Sequence, residues 1–322
     1  MSDLEALADQ LVQHRINGDF LPDTSLAAEL DSHSDVFAVH ERMMETGGSS
    51  ALGEHVGWKV GATNEGMWSG MGLVEPLRAP IFASALSASP AVASKAADNL
   101  TVLEAEFAFK LKSPLAGSWG TPVTPEAAWD ATEEVFLAIE ICAQAPFSPC
   151  HHDGRFRDPA WAPASASAPG LTCVRCAGGS RYLPEAFGAA SAYQRIADGG
   201  MNTGLVLGPS FSAEEMRGRD LAGTRVALLR NGEVGVGPQQ SGTSEGSGAA
   251  VLGDPVNSLC FLANALGRTG GSLEAGMIVT TGACCILGAP PGRPPAYEDG
   301  DTIVARFDGF GDVTLQLQSP RL

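Results

Sequence analysis

Residues 101–112 read TVLEAEFAFKLK, and their alternation sets the architecture. Leu103, Ala105, Phe107, Phe109 and Leu111 fall on one side of an extended chain, and Val102, Glu104, Glu106, Ala108 and Lys110 on the other. The first side is continuous apolar surface and needs a second layer to cover it. Downstream, Thr124-Pro125 has the residue types of a helix N-cap and first helical position. That helix leads into EVFLAIEICA (134–143), apolar enough for a strand buried on both faces. Upstream, VGWKVGAT (56–63) again has period two, with Trp58 and Val60 on one face and Gly57, Lys59 and Gly61 on the other.

Two amphipathic helices are expected before these strands. Ser2 and Glu5 have capping-box spacing ahead of Leu4, Leu7, Ala8 and Leu11, and a second helix from about Ser34 puts Val36, Val39, His40 and Met43 on one stripe before Gly47. Later segments read as strands: TGLVLG (203–208), a hairpin through Asn231-Gly232, GMIVTTGACCILG (276–288) and DTIVARFDGFGDVTLQLQ (301–318), which turns near Gly309–Gly311. Asp254-Pro255 opens a helix through Leu259, Leu262, Ala263 and Leu266 that Gly267 closes. Helices come early and strands late, so the expected class is α+β rather than a wound parallel sheet. Residues near 145–188 and 237–248 are rich in Pro, Ala, Ser and Gly and read as insertions.

The chain has 322 residues, 44% of them hydrophobic and 18% charged, enough for a core without disulfides. Its 20 basic and 37 acidic residues leave a net charge of −17, which argues against nucleic acid or an anionic membrane surface as a partner. No apolar run is read as a membrane span, and the acidic N-terminus does not resemble an export signal. With seven cysteines, an odd number, the expected compartment is the reducing cytoplasm.

Glu104 and Glu106 share a strand face with Cα atoms about 6.5 Å apart. Two readings stand: an ordinary solvated face, or oxygen ligands for a hard divalent cation. Glu140, between Ile139 and Ile141 in an apolar run, has to be protonated, paired or bound to a cation. Lys59 sits among small residues, where partial burial lowers an ammonium pKa toward acid–base use; the plain alternative is a surface lysine. Thr280, Thr281 and Gly282 end a strand, where hydroxyls and N–H groups are placed either to hold a substrate carboxylate or simply to leave the sheet.

WKVGATN (58–64), LEAEFAF (103–109), AIEI (138–141), IADGGMNTGLVLGP (196–209), Asn231-Gly232-Glu233, GAAVLGDPVNSLCFLANAL (248–266) and AGMIVTTG (275–282) occur in that order. Together they resemble the fumarylacetoacetate hydrolase superfamily, in the branch of 2-oxopent-4-enoate hydratases and 4-oxalocrotonate decarboxylases. The resemblance implies a mixed β-roll over 96–322, preceded by a smaller N-terminal segment, 1–95, that carries Lys59. It implies Mg2+ or Mn2+ on Glu104, Glu106 and Glu140, a catalytic Lys59 and a homo-oligomer. The implied activity is that of a lyase that hydrates a short unsaturated 2-oxo acid such as 2-hydroxypenta-2,4-dienoate. Decarboxylation of a 2-oxo diacid, C–C bond hydrolysis and a non-catalytic metal-binding role are the alternatives.

The chain also departs from the pattern. Hydratases of this branch place an aspartate after a Glu-Pro where VEPLRAPIF (74–82) has Leu77, and Glu75 is the substitute acid. No arginine closely follows AIEI. Cys150, His151, His152, Cys173 and Cys176 lack the second pair that a zinc site needs and read as loop. Cys260, Cys284 and Cys285 read as buried small hydrophobes, and His40 as a packed helix residue.

Overall fold

The computed structural model describes residues 2–17, 30–64, 67, 72–94, 100–118, 120–143, 191–235, 244–288 and 297–318. The first insertion, with Cys150, His151, His152, Cys173 and Cys176, lies outside the described residues, as does most of the second.

Both N-terminal helices form where their caps place them. The first, α1 (Asp3–Asn17), opens on the reciprocal Ser2–Glu5 capping box. The second, α2 (His33–Gly47), is capped by Ser32 rather than starting near Ser34, and buries Val36, Val39, His40 and Met43 as one stripe. Strands β1 (His55–Gly61), β2 (Leu77–Phe82), β3 (Leu86–Ala88), β4 (Ala91–Ser94) and β5 (Leu100–Leu111) follow. Next come α3 (Pro125–Ala131), capped by Thr124, and β6 (Thr132–Ala143). Beyond the first insertion lie α4 (Ala192–Ala197), β7 (Asn202–Ser212), α5 (Ala213–Met216), β8 (Arg225–Arg230), β9 (Glu233–Val234) and β10 (Glu245–Ser247). The chain ends in α6 (Pro255–Gly267), β11 (Ile278–Thr280), β12 (Cys285–Gly288), β13 (Thr302–Phe307) and β14 (Gly311–Gln318).

The strands make two mixed sheets, so the class is α+β. One runs β2-β1-β11-β5-β6-β7-β3, with β12 also on β5; the other runs β10-β8-β13-β14-β4, with β9 on β8. Most pairings are antiparallel, but β1–β11, β3–β7 and β4–β14 are parallel. The apolar face of β5 packs as the 101–112 alternation requires. Leu103, Ala105, Phe107, Phe109 and Leu111 join Val226, Leu228, Ile303, Phe307 and Leu315 of the second sheet and Leu259 and Leu262 of α6 in one core. Phe107 meets Phe307 edge-on at 5.1 Å between ring centroids. A smaller core gathers α1, α2 and α4 around Leu77 and Phe82.

The 276–288 segment is two strands that part after Thr281: its N–H still bonds the Phe107 carbonyl of β5, whereas the Gly282 N–H leaves the ladder for the Glu106 carboxylate. The last residues of the second insertion form β10, paired to β8. Gly248–Gly267 is long and apolar enough to cross a membrane by length and composition alone, but only Pro255–Gly267 of it is the helix α6. Within the fold this stretch is largely core: Val251, Val256, Leu259, Leu262, Ala263 and Leu266 are all buried.

β1 and β2 are hydrogen-bonded into the sheet that holds β5 and β6, which brings Lys59 toward the acidic strands. Close approach at β11 demands glycine at position 57, where a Cβ would lie 1.9 Å from the Ile278 carbonyl oxygen.

Candidate functional site: a carboxylate cluster around Lys59

Because β5 alternates, covering its Leu103–Leu111 face leaves Glu104 and Glu106 on the opposite face of the sheet. The β5–β6 register sets Glu104 directly opposite Glu140 and Glu106 opposite Ala138. Like charges paired across strands are destabilising, so this register needs compensating positive charge.

Lys59 supplies part of it. Its ammonium donates to Glu140 Oε1 at 2.5 Å and to the Gly200 carbonyl at 3.0 Å, and Lys59 is 3% exposed against 0% for Glu140. Asn202 Nδ2 donates to the same Oε1 at 2.8 Å. The chain turns tightly beside this contact at Gly200, whose φ is +63°; a Cβ there would lie 3.2 Å from Lys59 Cδ and 3.1 Å from Leu77 Cδ1. Leu77 therefore flanks the lysine stem.

Glu106 accepts the Gly282 N–H at 3.0 Å through Oε2. Glu106 Oε1, Glu140 Oε2 and Thr280 Oγ1 are buried with no hydrogen-bond partner. Thr281 is spent on the fold: its hydroxyl donates to the Phe107 carbonyl at 2.9 Å, and its own carbonyl accepts the Ser258 hydroxyl at 2.7 Å.

Electrostatics follow from burial. Desolvation, reinforced by Glu140, pushes the Glu104 carboxyl up to about 7, with Lys59 pulling the other way. Desolvation also raises Glu106 well above the usual range, again helped by Glu140 and Glu104. For Lys59, desolvation lowers the pKa, but Glu140 overcomes it and leaves the ammonium above its ordinary value. This corrects the expectation that burial brings Lys59 down: a lysine bonded to a buried carboxylate stays protonated and acts as a donor.

The structure thus gathers Lys59, Glu104, Glu106, Glu140, Thr280 and Gly282. Glu75 is elsewhere: its carboxylate is 2.8 Å from Arg268 Nη2, and that arginine, not a member of the cluster, is its ion-pair partner. Sequence reasoning missed Asn202 and the Gly200 carbonyl, although both lie in the quoted 196–209 motif. It also missed Cys142, which groups with Glu104 and Glu140 with ligand atoms within 4.8 Å of one another. Cys142 lies two residues beyond Glu140, and that strand-face spacing was the available signal.

The donor set suits a hard divalent cation. Three carboxylates face one lysine, and two buried carboxylate oxygens lack partners. Glu104 and Glu140, whose ligand atoms come within 4.8 Å of each other, are the residues that could hold such an ion, with Glu106 as their acidic neighbour.

The fold is shared with a solved 4-oxalocrotonate decarboxylase from Pseudomonas putida G7, complexed with magnesium and adipate. The TM-score is 0.71 and the identity 20%, covering 98% of this chain and 97% of the other. In sequence, the chain is 31% identical over 121 residues to a 4-oxalocrotonate decarboxylase of Pseudomonas putida, 38% of this chain and 39% of the relative. It is 33% identical over 121 residues to a 2-keto-4-pentenoate hydratase of Burkholderia vietnamiensis (strain G4 / LMG 22486), 38% of this chain and 40% of the relative. These alignments span about two fifths of each curated relative's own length. No family model matches the chain. The resemblance read from the ordered motifs is therefore to the same two groups of enzymes that the sequence comparison finds.

Proposed function

We propose that the protein is a divalent-metal-dependent lyase that hydrates a short unsaturated 2-oxo acid of the 2-hydroxypenta-2,4-dienoate type, as in aromatic meta-cleavage catabolism. The observation that carries this reading is the buried Lys59–Glu140 pair with Glu104 and Glu106 close enough to act on its charge, and with one oxygen each of Glu106 and Glu140 left unpartnered. The partial sequence relatives and the fold neighbour's magnesium and adipate support it.

Glu104, Glu106 and Glu140 would hold Mg2+ or Mn2+, which supplies Lewis-acid polarisation of the 2-oxo oxygen and offsets negative charge that develops there. Lys59, kept cationic by Glu140, would donate a hydrogen bond to the substrate oxygen on which negative charge develops and stay protonated throughout. Asn202 and the Gly200 carbonyl position Lys59 and Glu140 relative to each other. Thr280 Oγ1 and the Gly282 segment form the wall that meets the substrate carboxylate. The parts meet across the 1–95 and 96–322 division, with Lys59 from the first and the carboxylates from the second. The β-roll description and a homo-oligomer belong to the same reading and rest on the resemblance, and a cytoplasmic location goes with it on the cysteine count.

Leu77 favours a second reading. A leucine beside Lys59 cannot activate water, and Glu75 is engaged by Arg268. Decarboxylation of a 2-oxo diacid at the same centre needs no such acid.

The test is the purified chain with Mg2+ or Mn2+, following ultraviolet absorbance of 2-hydroxypenta-2,4-dienoate and CO2 release from 2-oxohex-3-enedioate. Loss of the dienoate signal supports hydration, and CO2 release supports the second reading. Silence on both with tight metal binding would leave a non-catalytic metal-binding protein. Titration calorimetry of Glu140→Gln checks the site itself. Loss of one charged ligand should weaken metal affinity by roughly 10–100-fold or more, and unchanged affinity would sink the three-carboxylate site.

A further inference from the structure

The other face of β1 presents a second constellation. Arg78 lies opposite Val60 in the β1–β2 register, so its side chain leaves the sheet with Trp58 and Val60 and away from Lys59. A cavity of about 410 Å3 opens there between α2, β1–β2 and the loop after α6. Phe37, Met44, Trp58, Leu266 and Met277 supply apolar walls. Arg78 is 5% exposed, and its guanidinium stacks on Phe37 with the central carbon 3.9 Å from the ring centroid.

Buried N–H donors without acceptors line this space, beside the neutral imidazole nitrogens His40 Nδ1 and His55 Nε2, which also lack partners. Those donors are Arg78 Nε and Nη1 and Trp58 Nε1. Neighbouring acids do not fill the role: Glu75 is engaged by Arg268, and Glu41, though it lines the cavity, is solvent-exposed. A buried guanidinium with free N–H groups is costly unless an anion meets it, and its planar fork matches a carboxylate in two-point contact. One cation among apolar walls fits a monoanion with an apolar body better than a multiply charged phosphate.

We propose that this cavity is a second ligand site, which takes a small carboxylic acid with an aromatic or aliphatic body, its carboxylate on Arg78 and Trp58 Nε1. The site is independent of the carboxylate cluster and does not rest on the proposed activity.

Titration calorimetry with benzoate and its neutral isostere benzamide tests this on the full chain after EDTA treatment, so that no cation in the Glu104–Glu140 cluster can hold a carboxylate. Saturable binding of benzoate without comparable binding of benzamide is expected. Arg78→Met should weaken benzoate by at least about tenfold, as loss of a desolvated charge partner does. Arg78→Lys keeps the charge but not the fork, and should fall between. Trp58→Phe, which removes one donor while keeping the ring, should weaken binding by a smaller factor and serves if Arg78→Met does not fold. Equal binding of benzoate and benzamide, no benzoate binding, or unchanged affinity in Arg78→Lys and Trp58→Phe would overturn the proposal. So would sedimentation showing that Arg78 variants dissociate an assembly that never binds benzoate, because a second copy would then cover the cavity.

Discussion

Lys59 and Arg78 are buried cations on neighbouring strands, 3% and 5% exposed, that leave opposite faces of one sheet. Lys59 meets a cluster of carboxylates and is bonded at 2.5 Å to one of them. Arg78 meets an aromatic ring and an open cavity, with two N–H groups unpartnered. One face therefore has more negative charge than its lysine can offset, and the other has a positive charge with no buried acid committed to it. Burial of a cation carries little information by itself; the sign of what faces it decides whether the site wants a metal or an anion.

The largest effect expected from breaking this contrast is at Lys59. Lys59→Met leaves Glu140 buried beside Glu104 without its cation, and removal of one partner from a buried ion pair costs about 3–5 kcal/mol. Urea unfolding of the EDTA-treated protein at pH 8 measures it. Added Mg2+ or Mn2+ should recover part of the loss by binding the folded state preferentially. A loss below about 1 kcal/mol would mean that the pair contributes little net stability, as many ion pairs do, and that the two faces are not opposites.

Acid should act on the two faces with opposite sign. Desolvation holds His40, which lines the Arg78 cavity, down to about 4 from 6.5. The unfolded chain takes up that proton first, so its contribution to stability is intact above pH 6.5 and falls by up to about 3 kcal/mol toward pH 4. Glu104, raised to about 7 mainly by desolvation, behaves in reverse. The folded metal-free protein binds that proton more tightly, so this contribution grows as pH falls from 7 toward 4.5. Denaturant melts across this range should show His40→Gln removing an acid-induced loss and Glu104→Gln removing an acid-induced gain. Parallel profiles for the two variants would erase the distinction.

The two faces also differ in how far they could be read from residue order. Alternation in 101–112 and the caps at Ser2, Thr124 and Asp254 are local, and local chemistry suffices to place them. The three acids could be nominated because a carboxylate within AIEI is costly wherever that strand lies. Their meeting with Lys59 could not be derived from spacing, since Glu140 is 81 residues away and the contact depends on the β1–β11–β5–β6 order. The direction of the Lys59 pKa depends on that order too: desolvation follows from the local sequence, and the carboxylate that outweighs it does not. Arg78 carries no local signal of its burial. In VEPLRAPIF its charge looks like ordinary surface, and only the packing of α2 and the loop after α6 over β2 buries it.

The smallest expected effect is also the sharpest discriminator, because it repeats the Lys59 substitution on the other face. Arg78→Met removes a buried charge that has no carboxylate partner, so the desolvation it relieves offsets the stacking on Phe37 that it forfeits, an interaction of about 0.5–2 kcal/mol. Ligand-free stability should stay within about 1 kcal/mol of the parent, where Lys59→Met loses several. Adding benzoate should then raise the melting temperature of the parent and not of Arg78→Met, since only a folded state that binds ligand is stabilised by it. If Arg78→Met instead costs as much as Lys59→Met without ligand, the guanidinium is already satisfied within the fold, and the two buried cations play the same structural part.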